Sequence, residues 1–309
     1  MTVKGTTSFE GAGNPDEFPM VSVIIPVYND LKRLEICLDA LQVQSYPKDR
    51  YEVVVVDNGS ERDIEGALKK YEMVRFGRED KRGSYAARNR GLDMAGGELI
   101  AFTDSDCIPA EEWMEKGVKA FLAVPGCGLV AGGIEFFFSD PENPTAVELY
   151  DSIVHLKQKN YVENGRYGAT ANVFTSRKVI DAVGPFNDRL KSGGDSEWGK
   201  RVFSHGYKVA YADDARVFHP ARRSFGQIRR KTLRLAGGTH ERLEENIFTY
   251  LIRLPLIVMD NAALIYGVWR DKRLKGIGRK FKVSALALMV KSLQFFERIR
   301  LNMGGRSRG

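Results

Sequence analysis

Four consecutive valines, Val53 to Val56, constrain this 309-residue chain more than any other feature. A strand with one face in water alternates apolar and polar residues, whereas Tyr51-Glu52-Val53-Val54-Val55-Val56 presents apolar groups to both sides. Such a strand is covered on both faces, as in a parallel sheet whose strands are joined by helical crossovers. It ends at Asp57-Asn58-Gly59-Ser60, turn residues that put Asp57 where open α/β sheets bind ligands.

The flanking segments extend this pattern. Met20 to Asp30 is a β-branched run interrupted by Pro26, a buried first strand emptying into a loop, and Leu34, Cys37, Leu38 and Leu41 then mark one face of a helix over Leu31 to Leu41. Either Asn29 or Asp30 can cap that helix. Arg62 to Lys70 supplies the next helix and Met73 to Phe76 a short third strand. Lys81 to Gly91 mixes small residues with Arg88 and Asn89. It reads as a loop feeding a helix close to a ligand, with Gly91 ending or loosening it, or else as a solvated basic turn.

Glu98 to Cys107 is a short apolar run ending in Asp104-Ser105-Asp106. In an extended segment residues i and i+2 share a face, so both carboxylates can reach a divalent cation and phosphate oxygens. The bare Asp-x-Asp pattern also ends strands and caps helices, so its surroundings must decide. Further on, Glu111 to Leu122 and Val147 to Tyr161 have helical character, and Gly128 to Phe138, Gly168 to Phe174 and Tyr207 to Phe218 have strand character. Ser176 caps a helix through Val183. Gly193-Gly194-Asp195-Ser196-Glu197-Trp198 opens another helix, with Trp198, Val202 and Phe203 as its buried stripe.

Composition sets the outer limits: 43% apolar residues and interspersed charges describe an ordered protein, and its formal charge of +7 is concentrated between Arg222 and Lys282. Cys37, Cys107 and Cys127 form neither a disulfide framework nor a clustered metal site. They fit a reducing compartment, with packing as their role. Residues 1–19 read as a mobile leader without a signal peptide or anchor, which places the catalytic part in the cytoplasm. Phe248 to Trp269 and Val283 to Leu301 are apolar helical stretches, but Arg253, Pro255, Asp260 and Asn261 rule out a clean membrane span. They form either a packed hairpin, which includes homo-oligomer contact, or a peripheral attachment to an anionic membrane surface.

In their order, Val23-Ile24-Ile25-Pro26-Val27-Tyr28-Asn29, Val55-Val56-Asp57-Asn58-Gly59-Ser60, Ala87-Arg88-Asn89-Arg90-Gly91, Asp104-Ser105-Asp106 and Gly194-Asp195-Ser196-Glu197 resemble the motifs of family 2 glycosyltransferases. The resemblance covers about Val21 to Pro220. It implies an α/β GT-A fold, a Rossmann-like, predominantly parallel sheet flanked by helices, at 20–220, followed by a basic helical C-terminal region at 221–309. It further implies that Pro26, Tyr28 and Asp57 frame a nucleotide base, that Arg88 and Asn89 lie beside the nucleotide, and that Asp104 contacts ribose or shares the cation. Asp106 would hold Mn²⁺ or Mg²⁺ on the diphosphate of a nucleotide sugar, with UDP the favoured carrier. Asp195 would be the general base of an inverting transfer of one sugar to a glycan or lipid-linked acceptor.

Some positions stay open. Gly194 stands where Glu is frequent, so Glu197 is the rival base; otherwise it orients Arg201 or caps its helix. His219 resembles a late metal-proximal histidine of some relatives and is equally a structural one. Trp198 either stacks on acceptor sugar or packs in the core. Gln227 to Lys231 only faintly resembles the Gln-x-x-Arg-Trp motif of processive synthases, because Lys231 replaces Trp. The rival functions are a nucleotidyltransferase making a nucleotide sugar and a noncatalytic carbohydrate- or membrane-binding protein. Nucleic-acid binding has no support beyond basicity.

Overall fold

The computed structural model describes residues 18–243, 247–252 and 254–307. The expected leader lies outside the described residues apart from Phe18 and Pro19, and these two are packed. Phe18 sits edge-on to Tyr46 with ring centroids 5.3 Å apart, and the Tyr46 hydroxyl donates to Pro19 O at 2.6 Å.

The first half alternates strand and helix: β1 (Val21–Val27), α1 (Leu31–Gln42), β2 (Tyr51–Asp57), α2 (Ile64–Leu68), β3 (Val74–Arg78), α3 (Ser84–Met94) and β4 (Leu99–Thr103). These four strands pair in parallel in the order β3-β2-β1-β4. Val53 and Val55 join an apolar cluster with Val23, Ile25, Leu34 and Leu38, while Val54 and Val56 join a second with Ile24, Ile100 and Phe102. Alternation with period two thus serves two cores, one on each face. The strand order reverses at β1, with β2 on one side and β4 on the other, and the crevice in which open α/β sheets bind ligands is expected there, at the strands' carboxyl ends.

Beyond β4 the sheet becomes mixed. β5 (Ile108–Pro109), α4 (Trp113–Leu122), β6 (Cys127–Phe137), α5 (Ala146–Val154), α6 (Gln158–Gly165), β7 (Asn172–Ser176), α7 (Arg177–Val183), α8 (Gly194–Ser204) and β8 (Lys208–Pro220) complete an eight-stranded sheet, β3-β2-β1-β4-β7-β6-β8-β5. β7 runs antiparallel to both β4 and β6, and β8 runs parallel to β6. Ser176 caps α7, accepting from Val179 N at 3.3 Å, as its position predicts.

Three local expectations change. The helix over Val147 to Tyr161 is broken after Val154, and Leu156 adopts φ 52° in the break. Gly91 does not end α3, which runs on to Met94. Its lack of a side chain lets α3 lie against β1, since a Cβ would stand 2.5 Å from Ile24 Cγ2. Neither proposed residue caps α1 by its side chain: Asp30 holds Arg33 instead, and Asn29 Oδ1 accepts from Glu61 N at 2.9 Å.

After Pro220 the described chain is helical: α9 (Phe225–Leu243), α10 (Ile247–Ile252), α11 (Leu254–Arg270) and α12 (Ile277–Asn302). A third apolar cluster ties Leu149, Tyr150 and Ile153 of α5 to Ile228, Val268, Val283 and Leu286. Beside it lies a buried polar knot. The fully buried Asp151 accepts from Arg222 N at 3.0 Å and Arg222 Nη1 at 3.1 Å, meets His155 Nδ1 at 2.6 Å, and has Lys231 Nζ at 3.8 Å.

Burial alone would raise the Asp151 carboxyl, but the His155 bond and the charges of Lys231 and Arg222 outweigh it and hold the group well below the usual carboxylate range. Burial, then the Lys231 charge, pushes His155 down to about 4 from 6.5. Between those two pH values the unfolded chain binds a proton that the folded chain does not, so stability is lost as pH falls through that window. Below it, Asp151 adds to the loss. We expect the thermal midpoint to drop on the order of 5 °C between pH 7 and 5, with a shallower drop in His155→Gln. Equal slopes for the two proteins in calorimetry would show that His155 is not the group responsible.

Candidate functional site

At the crevice, β2 delivers Asp57. It is 1% exposed, and its Oδ1 accepts from Ser60 N at 3.0 Å. Its Oδ2 is buried without a hydrogen-bond partner, with Arg78 Nε 3.7 Å away. A buried carboxylate oxygen left unpaired is costly, so it is an acceptor in want of a donor. Pro26 is paired with Val56 across β1 and β2 and is partly buried, and the following Tyr28 is half exposed with the Arg82 guanidinium 5.9 Å above its ring. Asn58 ties down the loop that carries Arg82, donating to Glu79 O and Lys81 O and accepting from Gly83 N at 2.7 Å.

β4 stops at Thr103, and Asp104 to Asp106 form a turn closed by Cys107 N donating to Asp104 O at 3.0 Å. The shared-face geometry expected of an extended strand is therefore replaced, and each carboxylate meets its own cation. Asp104 Oδ1 accepts from Arg88 Nη2 at 2.5 Å, while Arg88, 3% exposed, keeps an unpaired Nε. Asp106 has Arg33 Nη1 at 3.5 Å on one oxygen and His219 Nε2 at 3.8 Å on the other.

His219 is buried near the end of β8, with Nδ1 2.8 Å from Pro220 O. A carbonyl only accepts, so Nδ1 carries the hydrogen, and in the neutral ring Nε2 offers a lone pair to the Asp106 carboxylate. Two acceptors facing each other at 3.8 Å make no hydrogen bond; they suit a cation between them, with the far ring nitrogen fixed by a carbonyl as metal-binding histidines are. Cys107 Sγ lies in the same cluster, correcting the expectation of a cysteine confined to packing. Burial first, then Asp106 and Asp104, push its thiol well up, so it remains a poor ligand. The effective donors are a carboxylate and an imidazole, which fit Mn²⁺ or Mg²⁺ with positions left for phosphate oxygens.

On the other side, α8 starts after Gly193, whose φ is 81°. Asp195 Oδ1 accepts from the Tyr85 hydroxyl, and Oδ2 accepts from Thr170 N at 3.3 Å. Glu197 is turned elsewhere: its two oxygens accept from Arg201 Nε at 3.0 Å and Nη2 at 3.2 Å, and Arg201 also holds Val183 O and Pro185 O. This favours the orienting role over the rival-base role. Asn89 does not face the crevice either. Its amide donates to Phe186 O at 2.9 Å and accepts from Phe186 N at 3.0 Å, bracing the turn before α8.

Trp198 is core, 1% exposed and packed on Phe186, and Phe203 is exposed, so the expected helical stripe is shorter. Gln227 caps α9 by accepting from Arg223 N and Ser224 N. Tyr85, Thr170 and Arg33 escaped the sequence reading. Only Tyr85 carried a signal, lying three residues before Arg88 on one helix face.

The family model described as "Glycosyl transferase family 2" matches residues 22–184. The chain is 40% identical over 225 residues to "Glycosyltransferase AglE" of Haloferax volcanii, covering 71% of this chain and 73% of that protein. It is 31% identical over 215 residues to "Pre-mycofactocin glycosyltransferase" of Mycobacterium tuberculosis, covering 65% of this chain and 43% of that one. Among solved structures, "Mannosyltransferase PcManGT from Pyrobaculum calidifontis in complex with GDP-Man and Mn2+" superimposes with TM-score 0.62 at 20% identity, covering 96% of this chain and 90% of the other. These likenesses identify the mixed sheet and its helices as a GT-A-like fold.

Asn89→Ala should cost about 2 kcal/mol of stability, because two buried backbone groups of Phe186 lose their partner. Urea unfolding that matches the parent protein would remove the bracing role.

Proposed function

We propose that this chain, which belongs to glycosyl transferase family 2, is an inverting enzyme that moves one sugar from a nucleoside-diphosphate sugar to a hydroxyl of a glycan or lipid-linked acceptor. The observation that carries the proposal is the gap between Asp106 Oδ1 and His219 Nε2, two acceptors held 3.8 Å apart at the crevice. Asp106 and His219 would hold Mn²⁺ or Mg²⁺ there, and the ion would supply positive charge to offset the negative charge that develops on the departing diphosphate.

In this reading Asp57 accepts from an N–H on the base edge, and Tyr28 supplies a ring for it to stack on. Uracil N3–H and guanine N1–H both meet that need, and we favour UDP. Pro26 shapes the same slot, Asp104 meets ribose or the cation, and Arg88 keeps Asp104 oriented. Arg222 and Lys231 add positive charge on the diphosphate side, where Lys231 and Asp106 act on each other. Asp195 takes the proton of the acceptor hydroxyl as its oxygen bonds to the anomeric carbon. The anomeric C–O bond breaks on the opposite face, and the diphosphate leaves with the electron pair.

The same reading assigns residues 20–220 to catalysis and 221–309 to attachment. Among the described residues, no helix is long and apolar enough to cross a membrane. Phe248, Leu256, Met259, Ile277, Phe281 and Phe296 are nevertheless each more than 60% exposed. Between Arg270 and Lys282, seven basic residues stand against the single acid Asp271, and Trp269 and Phe281 meet edge-on at 5.4 Å. Aromatic and basic groups beside an exposed apolar face match the boundary layer of an anionic bilayer, where a lipid-linked acceptor would reside. The crevice would then work at the cytoplasmic face.

Asp106→Asn should lower metal-dependent donor turnover by about 100-fold or more, and Asp195→Asn should suppress transfer similarly while leaving donor binding intact. Nucleotide release measured across a panel of nucleotide sugars with Mn²⁺ checks both. Unchanged metal dependence in the first variant, or normal transfer in the second, would sink the corresponding assignment. The full chain should also co-float with vesicles containing anionic lipid, less so at high salt, and lose that binding when Lys272, Lys275, Arg279 and Lys282 become Gln. No flotation, with a dimer in solution instead, would assign the apolar face to a second copy of the chain.

A further inference from the structure

We infer that Tyr85 is a positioning residue that sets the orientation of Asp195, an assignment that rests on the glycosyl-transfer reading above. A phenol has one hydrogen to give and two lone pairs to fill. Here all three directions are used: the hydroxyl donates to Asp195 Oδ1 and accepts from Gly194 N at 2.9 Å and Asp195 N at 3.4 Å. Those two amides open α8 and have no partner within their own helix. With both lone pairs facing N–H groups, the phenol proton can point only at the carboxylate.

The phenol is also kept protonated. Burial, and then the Asp195 charge, push its ionisation far above the ordinary tyrosine value. Its ring stacks on Phe186 at 5.8 Å, and Phe186 is in turn held by Phe102 at 5.3 Å and Trp198 at 5.1 Å. The ring therefore stays where it can reach α8.

The same geometry accounts for the chain's departure from the usual acidic pair. A Cβ at position 194 would stand 2.7 Å from Cε2 and Cζ of the Tyr85 ring. The ring occupies the place that a side chain at 194 would take, so glycine is required there, and the phenol supplies the polar contact to Asp195. Asp195 Oδ1 is thereby committed, and Oδ2, with only the 3.3 Å bond from Thr170 N, is left for the incoming hydroxyl. Because Tyr85 and Arg88 are three residues apart on α3, one helix face orients Asp195 on the acceptor side and Asp104 on the donor side.

Tyr85→Phe keeps the ring and removes the hydroxyl. We expect kcat for transfer to fall by about 10- to 100-fold while the donor KM and nucleotide affinity stay within about twofold, since only the orientation of the base is lost. In an Asp195→Asn background the same change should cost nothing further, because the carboxylate it serves is gone. Parental kcat in Tyr85→Phe, full additivity with Asp195→Asn, or loss of nucleotide affinity along with kcat would each overturn the positioning role. Parent protein that binds nucleotide but turns over no donor on any acceptor would overturn the glycosyl-transfer reading and this assignment with it.

Discussion

The buried guanidinium of Arg88 is the interaction on which the site depends. The strands on either side of β1 bring Asp57, Asp104 and Asp106 to one edge of the sheet, where like charges oppose one another. Arg88 is 3% exposed and bonded to Asp104, so each supplies the charge that makes the other's position tolerable. Removing Asp104 would leave the buried guanidinium unmatched, a larger effect than the pair's own net contribution, whereas Asp104 itself is partly exposed. The helix that carries Arg88 is pinned along its length, by Tyr85 at Asp195, by Asn89 at Phe186 and by the close approach of Gly91 to Ile24. Fixing this one helix fixes both halves of the crevice.

The C-terminal helices are joined to that edge by chemistry as well as by packing. Asp151 faces two cations and an imidazole, and burial followed by the Arg222 charge brings Lys231 down to about 7. In the proposed reading this buried cluster would add positive charge on the side of Asp106. Of the sequence stretch that faintly resembles a synthase motif, Lys231 lies in this buried knot beside Asp151 and Gln227 is consumed as a helix cap.

Much of this was legible where the signal is local. Val53 to Val56 announced a strand between two cores because side-chain alternation converts an unbroken apolar run directly into two buried faces. Asp57 and Asp106 stand out because strand ends carry their own turn residues, and Asp195 stands out through the family resemblance at a helix start; the roles of all three belong to the proposed reading. What could not be read depended on partners far along the chain. Asn89 looked free for a ligand until Phe186, 97 positions later, took both ends of its amide, whereas the pairing of Glu197 with Arg201, four positions on, was already one of the alternatives the sequence offered. For Trp198 packing decides between the two alternatives in favour of the core, and for Cys107 it adds neighbours, Asp106 and His219, that composition does not reveal.

The unpaired oxygen of Asp57 has a kinetic side. In the proposed reading, the groups assigned to the nucleotide and its diphosphate, from Tyr28 and Asp57 to Asp106 and His219, would lie on the part of the donor that survives the reaction. In the proposed transfer the spent nucleoside diphosphate keeps every one of those contacts and loses only the sugar. It would therefore compete with fresh donor for the same crevice, and the pace of catalysis in a cell would follow how quickly that by-product is consumed elsewhere.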